Sequence, residues 1–211
     1  MWQSLLDLLF PRRSLLGDEG AWITAAECRL MKGEAVIESQ RQLRNRGVQS
    51  LDQVVGATLY TSPLARHAIH ALKYKKITSI VPALADLMAD ALTYVPIEPG
   101  TVICPVPLHW RRKFMRGFNQ AELLGLALSK KSGLPYCAFL KRSRSTGAQV
   151  GRHRDERLKA LTGAFAVTGS VPEHILLIDD VCTTGTTLDQ CATVLKNAGA
   201  RSVIAVVVAV D

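Results

Sequence analysis

Two adjacent carboxylates, Asp179 and Asp180, followed by Thr183, Thr184, Gly185, Thr186 and Thr187, are the residues of this 211-residue chain best suited to chemistry. Carboxylates accept hydrogen bonds from vicinal sugar hydroxyls, and a small bend rich in hydroxyls and backbone N–H groups suits a phosphate monoester. Together they describe a site for a ribose 5-phosphate. The bend has no lysine and does not match GxxxxGK[ST], which argues against a nucleoside triphosphate cradle. A blander reading makes it an ordinary turn in which Asp180 caps a helix and the threonines are solvated. The number of positions with specified chemistry weighs against that reading.

These side chains need elements to hold them. Ile175 to Ile178 suit a strand buried on both faces, and Leu188, Cys191, Val194 and Leu195 lie on one face of a following helix. Gly199 stands where a C-cap is expected, and Val203 to Val210 is an almost wholly apolar last strand. Strand, turn and helix in that order bring free N–H groups and the positive helix end to the carboxyl edge of a parallel sheet, where open α/β sheets bind ligands. The run Ile175–Thr187 resembles the phosphoribosyl pyrophosphate (PRPP) motif of type I phosphoribosyltransferases: four apolar residues, two acidic ones, a spacer, then the Thr/Gly loop. The resemblance implies an α/β, Rossmann-like parallel sheet with flanking helices. It also implies Asp179 and Asp180 as the catalytic pair at the ribose, with Thr183–Thr187 around the 5-phosphate.

Charge is gathered in one part of the chain. Residues 101–160 hold 13 Lys/Arg against three Asp/Glu, and the rest holds 13 against 15, so the overall +8 is a local excess. Such a patch points to an anionic ligand, and a polyphosphate and a nucleic acid both fit. Part of the excess sits after a buried strand at Thr101–Val106, in a loop carrying Arg111, Arg112, Lys113 and Arg116. Asn119 then reads as an N-cap with Glu122 as its capping-box partner, opening a helix that buries Leu123, Leu126 and Leu128 and ends near Gly133. The four cations are assigned to the pyrophosphate of the donor, against the plainer reading of a solvated basic loop.

A third segment, Leu140–Phe165, has little apolar periodicity before Leu158 and several arginines, so it is expected to be mobile when empty. Its Arg142, Arg144, Thr146, Gln149, Arg157 and Gly163–Phe165, with Pro105–Leu108 and Arg116–Gln120, resemble the ComF/GntX (competence protein F-like) family from about Val55 onward. The resemblance assigns Arg142, Arg144, Gln149 and Arg157 to a flexible anion-binding lid that excludes water. Ala160 departs from the family's usual asparagine. The resemblance also implies a role in natural competence, where imported single-stranded DNA is handled in the cytoplasm.

Residues 1–50 are read as a small irregular cap and 51–211 as the phosphoribosyltransferase-like domain. In the ComF/GntX family the cap region resembles a zinc module with two CxxC pairs; the equivalent positions here are Ser14, Gly17, Ala25 and Cys28. One thiol cannot hold tetrahedral zinc. No zinc is expected, and any surviving cap is expected to pack hydrophobically.

Upstream of the basic loop, Asp52–Tyr60 reads as a strand and Ser62-Pro63 as the start of a helix burying Leu64, His67, Ala68, Ala71 and Leu72. A further helix is read over Ser79–Tyr94. Five scattered cysteines, odd in number, indicate reduced thiols and a cytoplasmic protein. No apolar run reaches the ~20 residues of a membrane span, and Arg12 and Arg13 follow rather than precede the apolar Leu5–Phe10, the wrong order for a signal peptide.

The expected chemistry is displacement of pyrophosphate from C1 of the ribose through an oxocarbenium-like transition state. Asp179 and Asp180 stand near the growing positive charge and the basic residues oppose the leaving group. Mg²⁺ would be held chiefly by the donor's own oxygens. The acceptor is left open, except that Trp2 after Met1 rules against a glutaminase with an N-terminal cysteine. The competing reading is a non-catalytic single-stranded-DNA-binding competence factor that uses the basic face. Few stacking aromatics accompany that face: Trp110, Phe114, Phe118 and Tyr136.

Overall fold

The computed structural model describes residues 14–18, 22–142 and 164–211. Its frame is a five-stranded sheet. In chain order its strands are β1 (Val36–Ser39), β2 (Gln53–Leu59), β3 (Val102–Pro105), β6 (His174–Cys182) and β7 (Ser202–Val210), and in space they run β1-β2-β7-β6-β3. Neighbours from β2 to β3 pair in parallel, with Ile178 opposite Val206 on one side and Pro105 on the other. The central pair β6 and β7 is buried along nearly its whole length. This explains the unbroken apolar runs that a strand covered on both faces needs.

The sheet is not wholly parallel, because β1 adds to the edge of β2 in the antiparallel sense, with Ile37 opposite Val55. Residues 36–50 thus extend the sheet rather than stand apart from it. The helix α2 (Gln40–Asn45) follows β1, and Asp52 clamps the join. Its carboxylate accepts from Gln40, from Lys196 Nζ at 2.7 Å and from the Val203 N–H at 2.8 Å.

Helices α3 (Pro63–Tyr74), α4 (Val81–Ala91) and α6 (Gln120–Ser132) cover one face, and α7 (Thr186–Asn197) lies in the other layer. Ser62 caps α3 and Pro63 takes its first turn, as read from sequence. The buried stripe of α3 is Ala65, Ala68, Ile69, Ala71 and Leu72; His67 and His70 face solvent and Leu64 is half-buried. Ile69 outcompetes His67 for the interior because burying an imidazole without a partner is costly. The stretch expected to be one helix over 79–94 is divided, with 3₁₀ turns at Thr78–Ile80 and Leu92–Tyr94 flanking α4.

Two further differences bear on the site. The basic loop after β3 contains a short helix, α5 (Trp110–Arg116), opened by His109 and closed by Gly117 at φ +90°. In α6 the interior takes Gln120, Ala121, Leu124, Gly125 and Leu128, while Leu126 is exposed. The Asn119 side chain accepts from the Ala121 N–H, but Glu122 completes no capping box because its carboxylate pairs with Lys113 at 3.1 Å.

The ends of the arginine-rich segment meet as a two-stranded ribbon, β4 (Leu140–Arg142) against β5 (Phe165–Val167). In the N-terminal region Ser14–Asp18 forms a turn, and α1 (Ala25–Met31) follows. A buried carboxylate organises this region, whereas the sequence suggested apolar packing alone. Glu27 accepts from the N–H groups of Leu16 and Thr24 at 2.6 Å each and from the Thr24 hydroxyl at 3.0 Å. Burial works to raise its pKa, but hydrogen bonds from Thr24, Ser14 and Leu16 outweigh burial and hold it below the ordinary glutamate value.

Candidate functional site

β6 turns from apolar to acidic near the carboxyl edge of the sheet, with Asp179 and Asp180 still inside the strand, which stays paired to β7 as far as Cys182. Asp180 is buried at 3% exposure and Asp179 is half-buried beside it. The Asp179 carboxylate accepts from the Asp180 N–H at 2.8 Å, which fixes the first side chain against the strand end. Lys73, from the last turn of α3, places its ammonium 2.6 Å from Asp180. Burial, and then the charge of Asp180, push the Asp179 carboxyl well above the usual carboxylate range, with Lys73 opposing them.

The threonine bend turns the strand into α7. Gly185 sits at the N-cap with φ +76°, a left-handed conformation that glycine adopts without steric cost. Gly185 has no side chain to cap this end; the Thr186 N–H donates to the Thr184 hydroxyl at 3.5 Å, and the N–H groups that follow it in the first turn of α7 are open to an anion. The hydroxyls of Thr184 and Thr186 are 2.9 Å apart, and Thr183 and Thr184 are exposed. Val181 to Leu188, with Asp179, line a hollow of about 60 Å³. Asp189 in the first turn would oppose an anion, but its Oδ1 is engaged by the N–H groups of Gln49 and Ser50 at 2.9 and 2.6 Å.

Behind the bend stands Arg46, which lies far away in sequence. One guanidinium nitrogen donates to the Thr183 carbonyl at 3.1 Å, and the other reaches Glu38 and Cys182 Sγ. The contact holds a carbonyl oxygen on the Arg46 side, so that donors can face the hollow. Burial pushes the Cys182 thiol up to about 11, which keeps it neutral beside the arginine.

A larger cavity of about 290 Å³ opens beside the acidic pair. Asp179, Asp180, Thr183 and Thr187 form one side. Val106, Pro107 and Leu108 form its floor, and Lys73, Arg112, Arg116 and Arg142 bring cations to its walls, with Tyr60 and Tyr74 beside them. Asn119 secures the floor. It is buried, donates to the Val106 carbonyl at 2.9 Å, and starts α6 at the same time. Arg116 reaches Gln120 and lies 5.7 Å over the Tyr74 ring.

The structure therefore brings Asp179, Asp180, Thr183, Thr187, Arg112, Arg116 and Arg142 to one cavity, with Thr184, Gly185 and Thr186 in the adjoining hollow. Arg111 stacks 5.3 Å over Trp110 and Lys113 pairs with Glu122; neither lines the cavity. Arg144, Gln149 and Arg157 lie outside the described residues. Sequence reasoning passed over Lys73, Arg46 and Tyr60. Lys73 had a detectable signal: it follows Ile69 by four residues, so it continues the buried stripe of α3 with a cation. Arg46 had none.

An apolar strand carrying an acidic pair, a threonine bend before a helix start, and cations lining the same cavity belong to a domain of the phosphoribosyltransferase type. Residues 119–211 match the phosphoribosyl transferase domain family. Competence protein F of Haemophilus influenzae is 32% identical over 163 residues, covering 73% of this chain and 71% of that protein. The DNA utilization protein YhgH of Salmonella typhi is 35% identical over 162 residues, covering 72% and 69%. The chain belongs to the competence protein F (ComF/GntX) family. Among solved structures, the glutamine phosphoribosylpyrophosphate amidotransferase of B. subtilis aligns over 61% of this chain and 26% of its own, at 17% identity and a TM-score of 0.40.

Proposed function

We propose that this protein binds PRPP with Mg²⁺ and transfers its ribose 5-phosphate to an acceptor, in the cytoplasm and in the service of natural competence. The observation that carries the reading is one cavity with an acidic pair between two anion-receptive ends. The threonine hollow receives the 5-phosphate, Asp179 and Asp180 accept from the ribose hydroxyls, and Arg112 and Arg116 face the diphosphate. The names of the relatives, a competence protein and DNA utilization proteins, support the biological setting.

Among the described residues no three His, Cys, Asp or Glu converge as a metal cage. Two adjacent carboxylates suit a hard cation that takes its other oxygens from a polyphosphate and water, so Asp179 and Asp180 would hold Mg²⁺ only together with the ligand. The ion would neutralise charge on the departing diphosphate. The protein's own residues orient the sugar and shield the reacting carbon. No zinc belongs to this reading, and near-stoichiometric zinc in the purified protein would overturn that part.

Calorimetry with ribose 5-phosphate and with PRPP, with and without Mg²⁺, tests the site. Thr184→Val with Thr187→Val is expected to weaken both ligands by about tenfold or more, since a hydrogen bond to a charged group is worth about 1.5–3 kcal/mol. Unchanged affinity would remove the bend from the site. Release of pyrophosphate in the presence of bases, amines and oligonucleotides identifies the acceptor.

A specific surface favours a second role. All of Trp110 to Met115 is exposed, with Trp110 at 61% and Phe114 at 87% one turn apart, flanked by Arg111 and Lys113. Stacking faces beside cations suit single-stranded nucleic acid. Trp110→Ala with Phe114→Ala is expected to weaken binding of a labelled oligonucleotide at least tenfold without changing PRPP affinity. Equal binding by the variant would dismiss this surface.

A further inference from the structure

Lys73 is a cation inside the acidic centre of the cavity, and the chemistry above gives it no task. Its ammonium lies 2.6 Å from Asp180, with side-chain exposures of 21% and 4%, so the pair is largely withdrawn from water. The same lysine lines the cavity with Arg112 and Arg116, and the Arg116 guanidinium lies over the ring of the adjacent Tyr74. Lys73 therefore touches the carboxylate assigned to the sugar and shares one cavity with the cations assigned to the diphosphate. A buried carboxylate without a partner is costly, so something must compensate Asp180 while the cavity is empty. A lysine on a flexible four-carbon stem can leave that carboxylate once another partner reaches it.

Resting on the PRPP reading, we infer that Lys73 exchanges partners: it neutralises Asp180 in the empty site and moves to the donor's diphosphate when the ribose and its divalent ion engage the acidic pair. Lys73 then determines specificity for the diphosphate-bearing sugar over the monophosphate. Ribose 5-phosphate offers no diphosphate for the displaced ammonium, so releasing Asp180 leaves two charges uncompensated. PRPP supplies the replacement partner within the same cavity. The pairing also makes the empty acidic centre a poor cation site, because a divalent ion arriving alone must expel the ammonium with nothing to receive it. Metal and diphosphate enter together.

The test is calorimetry on the full chain as wild type, Lys73→Gln and Lys73→Arg, with three probes: ribose 5-phosphate, PRPP with Mg²⁺, and Mg²⁺ alone. Lys73→Gln is expected to weaken PRPP about tenfold or more, the loss of one charge-assisted contact. Ribose 5-phosphate should bind the variant no more weakly than wild type, Mg²⁺ alone should bind it measurably more tightly, and Lys73→Arg should recover most of the PRPP affinity. If Lys73→Gln does not fold, Lys73→Gln/Asp180→Asn removes both members of the ion pair, and it should still bind PRPP more weakly than Asp180→Asn alone. Equal loss for both sugar phosphates would reduce Lys73 to a support for Asp180 and overturn the inference, as would undiminished PRPP affinity. A wild-type protein that binds neither sugar phosphate would instead sink the underlying reading, so the two failures are distinct.

Discussion

Gly185→Ala probes the junction between the N-terminal segment and the threonine bend, and its cost has two separable parts. The residue has φ +76°, where an L side chain is strained by roughly 1 kcal/mol. A Cβ there would also lie 2.8 Å from Val48 Cγ2, with Arg46 Nη2 at 3.6 Å and Cys182 Sγ at 3.9 Å. Val48 is buried at 1% exposure and β-branched, so its methyl cannot swing away freely; overpacking of this kind costs about 1–3 kcal/mol. The expected total is about 2–4 kcal/mol, and for a chain of this size each kcal/mol corresponds to about 2–4 °C of Tm. Val48→Ala removes the obstructing methyl at a cavity cost of its own. The double variant should then be less destabilised than the sum of the singles by about 1 kcal/mol or more, the share due to overlap. Urea unfolding at one pH and salt concentration measures the cycle, and calorimetry with ribose 5-phosphate should show weaker binding in Gly185→Ala. Additive single effects, or Gly185→Ala as stable as wild type, would refute the claim that a side chain at position 185 collides with Val48.

Arg46→Ala releases the Thr183 carbonyl and leaves Glu38 without its ion partner. It is expected to weaken ribose 5-phosphate about tenfold and PRPP equally, which calorimetry distinguishes from the PRPP-selective loss expected at Lys73. Glu27 supplies a pH signature. Its folded pKa lies below the ordinary 4.5, so its stabilisation is present above that value and is lost as pH falls through the folded pKa. Glu27→Gln should therefore be clearly less stable than wild type in urea at pH 7, and the gap should narrow as pH drops below about 4.5; a constant gap would contradict the assignment.

Asp179, Asp180 and Thr183–Thr187 were legible because the site is contiguous: the strand, its acidic tip, the bend and the helix start are one local unit. The basic block after β3 was visible as composition, but not its geometry. A seven-residue helix turns Arg112 and Arg116 toward the cavity, while Lys113 goes to Glu122 and Arg111 to Trp110. Over so few residues, and with its apolar positions Trp110, Phe114 and Met115 all exposed rather than marking a buried face, helical periodicity leaves no pattern to read. The strand Val36–Ser39 was missed for a similar reason: four residues at a sheet edge are specified by their partner β2 more than by themselves.

By itself the sequence determined which donors and acceptors gather at this end of the sheet, because hydroxyls, carboxylates and a helix start follow from residue order within a few turns of backbone. Only the tertiary structure decided which charges meet. Arg46 reaches Thr183 across 137 positions, and Lys73 crosses from the end of α3 to Asp180. The reason is physical: periodicity governs neighbours along a helix or strand, whereas pairing between distant side chains depends on the order of strands in the sheet and on what the core excludes from water.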